Sequence, residues 1–212
     1  MRKRTGKLCL CIVYCALALV GLAADFGLFS GRITARPFVY YTSLSNMLCS
    51  AFMFAALIHA VRFPDRELWP RCKFVFVVMI LLTAIVYNLL LNGYPSWGAY
   101  FAAVKNSLYH LILPVLFVLD WIVFYRRGRV KPLDPILALG IPLLYVVYIL
   151  LRAAIVEWAG ISVRVLYPYF FLNVGSLGWG GFTRWMGILL AGLLALGYGL
   201  FSLDRLLSGR EA

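Results

Sequence analysis

Thr42, Ser45 and Asn46 stand at i, i+3 and i+4 in an otherwise apolar run, so one helical face presents a hydroxyl with an amide one turn away. A second apolar run carries Asn106, His110 and Pro114 at intervals of four. A Thr hydroxyl is a weak nucleophile until a base within about 2.6 to 3.2 Å accepts its proton, and an imidazole can be that base. An amide N–H from Asn46 or Asn106 can then donate to the oxyanion of a tetrahedral intermediate, which is typically worth about 2.7 to 4 kcal/mol in the transition state. Together these residue types suit acyl transfer, with Thr42 and His110 as the candidate catalytic pair. The carboxylate available to orient the imidazole is Asp25, with Asn106 as the amide alternative. Ser45, Asn88, Tyr109, Tyr167, Tyr169 and Asn173 complete the set as candidate substrate contacts.

The elements that must position these groups are membrane helices. The chain has 212 residues, 64% hydrophobic and 13% charged, with mean hydropathy +0.91, which is too little charge to coat a soluble domain of that length. Six apolar runs, about Leu8 to Phe29, Phe38 to Val61, Phe74 to Leu91, Tyr100 to Tyr125, Ile136 to Val156 and Trp185 to Leu203, are each near the ~20 residues that span a bilayer as helix. Alternating strands are absent from the pattern, which leaves an all-α bundle of six transmembrane helices in a single domain over 1–212. Counted from Phe38, Thr42 lies about 6 Å and Asn46 about 12 Å along its helix, and His110 about 15 Å along its own from Tyr100. These groups enter from the same side, so they can meet in one half of the bundle. Asn88 closes the third run at a similar level and Asp25 ends the first.

A net charge of +12 would suit nucleic acid if it formed a stripe, but the basic residues follow a membrane topology. Fourteen of the twenty Lys and Arg fall in the terminal segments and the two even-numbered connections, and six on the other side. That bias predicts both termini in the cytoplasm and leaves no surface for DNA or RNA. A cleaved signal peptide is the rival reading of the first run, which follows Arg2 to Lys7 and ends in small residues at Gly21 to Ala24. The five cysteines form neither an outer disulfide framework nor a CxxC metal pair, and His59 lies too near the inner end to join His110 in a zinc site, so no metal or cofactor is expected.

Short connections favour adjacent antiparallel helices. Glu157 to Arg184 is too aromatic for a solvated loop and is expected to lie in the interface or fold back over the bundle. Gly187, Ala191, Ala195 and Gly199 form a small-residue ridge expected to admit a close helix, and Asp120 and Asp204 are expected to anchor inner helix ends where charge reaches water.

Tyr41-Thr42 followed by Ser45-Asn46, then Asn106 with His110 and Pro114 leading to Leu119-Asp120-Trp121, then Tyr167-Pro168-Tyr169 with Asn173, resembles the androgen-induced-protein-like family of six-span membrane proteins and its bacterial branch. The resemblance runs from the second span through the last outer loop. Its motifs are short, and their order carries more than any one of them. Animal members are threonine hydrolases of fatty acid esters of hydroxy fatty acids, and the resemblance implies Thr42 as nucleophile and His110 as base. The chain departs from the family in placing its amide, Asn46, four residues after Thr42 where an acid or amide three after is expected. The expectation is therefore a multi-pass protein of a bacterial cell membrane that hydrolyses lipid-like carboxylic esters, with membrane lipids and the ester as its partners. A non-enzymatic carrier or binding protein for a small amphiphile, or a structural protein whose Thr and Asn groups only join helices, stands against it.

Overall fold

Residues without water to bond their backbone must satisfy it internally, and this chain does so with helices throughout. The computed structural model describes residues 2–208, with side chains from Arg4 onward. Six helices are long and apolar enough to cross a membrane: Arg4–Asp25, Tyr41–Arg62, Pro70–Leu91, Val104–Phe124, Asp134–Trp158 and Val174–Ser208, here spans one to six. No strand occurs among the described residues. Both ends of the described chain lie at the same end of the bundle, which follows from the even number of spans.

Spans one to four make the tightly packed part. Phe74, Val77, Val78, Met79 and Ile80 of span three are fully buried against Cys49 and Met53 of span two and Leu113 and Phe117 of span four. Span one approaches span four closely because Gly21 has no side chain, since a Cβ there would stand 2.6 Å from the buried ring of Tyr109. Span six is the least enclosed and turns Leu193, Gly197 and Asp204 inward.

The sixth helix begins earlier than the hydropathy pattern indicated. Residues Val174 to Arg184 are helical rather than loop, with Gly178 (φ 64°, ψ 169°) as a non-helical joint inside. Asn173 starts this segment, its Oδ1 accepting the Ser176 N–H at 3.1 Å. Before it, the aromatic segment folds back over the bundle, held where Arg152 donates to the Leu166 carbonyl at 3.0 Å. The small-residue ridge does not receive a neighbouring helix: nothing comes within 4 Å of a Cβ placed at Gly187 or Gly199, and the close approach on this helix is Gly197 against Pro135.

Two carboxylates expected to reach water are buried instead. Asp120 is wholly inaccessible and lies 2.6 Å from Lys7 Nζ and 3.0 Å from Lys73 Nζ, which ties spans one, three and four together at the termini end. Asp204 accepts the backbone N–H of Gly128 at 2.9 Å and of Val130 at 3.4 Å, which fastens the end of span six to the connection after span four. Burial of an ion is costly, and Asp120 offsets it with ammonium groups of two other helices and Asp204 with backbone donors of the connection.

Candidate functional site

Pro114 shapes the site before any catalytic argument begins. A proline has no N–H to give the preceding turn, so carbonyls one turn back in span four lose their intrahelical partner. The helix responds by widening to π geometry over Leu108–Ile112, with the Leu113 N–H reaching the Leu108 carbonyl. The stranded Tyr109 and His110 carbonyls are met by side chains from neighbouring spans: Asn46 Nδ2 donates to the first at 3.2 Å and Asn88 Nδ2 to the second at 3.0 Å. Span three carries a matching π segment, Tyr87–Leu91. Its Tyr87 ring lies flat on the His110 imidazole, with centroids 3.4 Å apart and planes 11° apart. Such π segments interrupt helices where a side chain must be re-aimed, often at functional sites.

The result is a cavity of about 530 Å³ at the end of the bundle opposite the termini, lined in part by Thr42, Tyr87, Asn106, His110 and Tyr169. Thr42 and His110 thus share one cavity, although they make no direct hydrogen bond. Thr42 Oγ1 is 3.4 Å from Tyr169 Oη, which also accepts the Thr42 N–H at 3.3 Å. Burial pushes the Tyr169 phenol upward, so it stays a neutral hydroxyl. Among the described residues, neither the buried His110 Nδ1 nor the buried Asn106 Nδ2 has a hydrogen-bond partner. Tyr109 also lines the cavity, together with Arg36 and Lys105 at its rim. A second, apolar crevice of about 80 Å³ runs between spans three, five and six. It meets the first at Thr42, Tyr87, Leu91 and Tyr169, which line both.

Several residues singled out in the sequence lie elsewhere. Asn46 is fully buried and spends its N–H groups on the Thr42 and Tyr109 carbonyls, so it positions the helices and does not offer an oxyanion donor. Asn88 likewise serves the Ala84 and His110 carbonyls. Ser45 is buried against Thr83, Oγ to Oγ1 2.7 Å, and lines neither cavity. Asp25 does not orient the imidazole, because its carboxylate is paired with Lys105. Tyr167 and Asn173 border an adjoining groove with Glu157 and Arg164, which touches the cavity at Tyr40 and Pro168 but does not include Thr42 or His110.

Tyr87 and Lys105 were not singled out beforehand. Tyr87 had a signal, since an aromatic beside Asn88 at the depth of His110 is placed to cover the imidazole. Lys105 had a weaker one, since a Lys inside the first turn of a span needs a carboxylate at its level, and Asp25 is there. Compared with protein-family models, curated proteins and solved structures, the chain matches none.

Proposed function

We propose that the protein is a membrane hydrolase of lipid-like carboxylic esters that uses Thr42 as nucleophile and His110 as general base. The single observation that carries this reading is that Thr42, Asn106 and His110 line one cavity, the last two keeping an unpartnered buried amide and imidazole nitrogen, with an apolar crevice joining the cavity at Thr42. Tyr169 holds Thr42 at rest, and a rotation about its χ1 redirects the hydroxyl from the phenol into the cavity. His110 Nδ1 takes the hydroxyl proton as Oγ1 bonds to the ester carbonyl carbon. The carbonyl π electrons move to oxygen, and Asn106 Nδ2 donates to that oxyanion. Collapse breaks the carbon–alkoxide bond, and the alcohol leaves with the proton from His110. Water then attacks acyl-Thr42, with His110 again taking and returning a proton, and releases the acid. The apolar crevice suits the acyl chain, and the cavity that carries Thr42, Asn106 and His110 suits the scissile group.

Turnover of an acyl-ester panel by the purified protein tests this. Thr42→Ala and His110→Ala are each expected to abolish hydrolysis while the protein stays folded, and Thr42→Ser to retain part of it. An active Thr42→Ala protein refutes the nucleophile.

A carrier for a small amphiphile is the second reading, because another cavity, of about 460 Å³, opens at the termini end. The fully buried layer of Cys49, Met53, Leu113 and Phe117 lies between the two levels. Substrate-independent transport of an amphiphile across vesicles, without ester cleavage, would favour that reading.

A further inference from the structure

The cavity at the termini end is built from charge. Its wall is formed by span one, the inner turns of span two, the 64–68 connection and the last turns of span four. The connection is fixed in place, with Tyr125 Oη donating to the Leu68 carbonyl at 3.1 Å and the Arg126 N–H to the Glu67 carboxylate at 2.9 Å. Arg4, Lys7, Arg66, Arg126 and Arg127 line it against two acids, Asp65 and Glu67.

The positive charge is only partly neutralised. Arg126 sits 3.7 Å from Glu67, and Arg127 sits 3.9 Å from Asp204. Behind the wall, Lys7 and Lys73 share the one carboxylate of Asp120, which leaves an excess of one positive charge there. Arg4 and Arg66 make no ion pair among the described residues. His59 adds an Nε2 that is inaccessible to solvent and has no hydrogen-bond partner among the described residues. Beside this polar lining, Ile122 and Val123 of span four are cavity residues that are also 44% and 53% exposed. A ligand filling the site therefore meets cations at one end and an exposed apolar flank at the other.

We propose that this cavity binds the phosphodiester headgroup of an anionic phospholipid, with Arg4 and Arg66 as its main cationic contacts and the acyl chains running along Ile122 and Val123. It is separate from the Thr42 cavity and does not depend on the ester-hydrolase reading. A volume of about 460 Å³ exceeds what a lone phosphate fills and leaves room for the headgroup's glycerol. Basic pockets between membrane helices gain affinity for anionic headgroups from each Lys or Arg they present.

Native mass spectrometry of the detergent-solubilised full chain, titrated with phosphatidylglycerol or phosphatidylcholine, tests the assignment. Phosphatidylglycerol should bind in preference, and the Arg4→Gln/Arg66→Gln double variant should lose about tenfold or more of that affinity with phosphatidylcholine unchanged. Arg32→Gln/Arg164→Gln, at the other end, should behave as the parent. Equal binding of the two lipids, or an equal loss in both double variants, overturns the proposal. Displacement of phosphatidylglycerol by millimolar inorganic phosphate also overturns it, and assigns the cavity to a soluble phosphate.

Discussion

Replacing Asp120 by Asn keeps the shape of the side chain and removes its charge, leaving Lys7 and Lys73 to face each other in the bundle. Asp120 and Lys73 are both wholly inaccessible, and Lys7 is 17% exposed. At the observed separations of 2.6 and 3.0 Å, an effective dielectric of about 20 gives gross attractions of about 6.4 and 5.5 kcal/mol. Most of that offsets the desolvation of three ions. The cost of breaking such a buried group by removing one partner is about 3 to 5 kcal/mol. For a chain of this size each kcal/mol moves the melting temperature by about 2 to 4 °C, so Asp120→Asn should melt about 6 to 20 °C lower. Lys73 lies 3.2 Å from the Phe117 ring centroid and 3.4 Å from Met53 Sδ, an environment that accepts a methionine. Adding Lys73→Met to Asp120→Asn should therefore recover part of the loss, because one ammonium no longer lacks its counter-ion. The assay is thermal unfolding in detergent, followed by tryptophan fluorescence. A shift in Asp120→Asn below about 3 °C, or a double variant less stable than the single, would refute the reasoning.

Two further outcomes follow from the same structure. In a cysteine-free background, single cysteines at Ser30, Ser96 and Ser162 should react with an impermeant thiol reagent in intact cells, and protection of all three until lysis would reverse the proposed orientation, with cytoplasmic termini. Asn88→Leu strands the His110 carbonyl behind Pro114 and should cost about 1 to 3 kcal/mol in thermal unfolding, whereas an unchanged melting temperature would show that the amide does not support the π segment.

The six spans were legible because hydropathy over about 20 residues is the strongest signal a membrane chain carries. That Thr42, Asn106 and His110 line one cavity was legible from depth and helical face, because side-chain level follows from helical rise and residues four apart share a face. The use of Asn46 and Asn88 was not. An amide at the right depth looks the same whether it serves substrate or backbone, and the answer turned on Pro114, whose missing N–H leaves carbonyls needing donors. The Lys7, Lys73 and Asp120 cluster was hidden for another reason: it joins three helices, with Lys7 and Asp120 separated by 113 residues, and each charge alone reads as an interface anchor. The early start of span six was obscured by composition, since aromatic residues suit an interfacial loop and a helix equally.

The proposed hydrolysis depends on Thr42 acting as a nucleophile activated by His110. The direct measurement is reaction of the purified protein with a fluorophosphonate, followed by peptide mass spectrometry to locate the adduct. A phosphonyl adduct is expected on Thr42 Oγ1 and is expected to be lost in His110→Ala, while that variant remains folded. An unlabelled protein, or an adduct on Ser43, Ser45 or Tyr169 in place of Thr42, would contradict it.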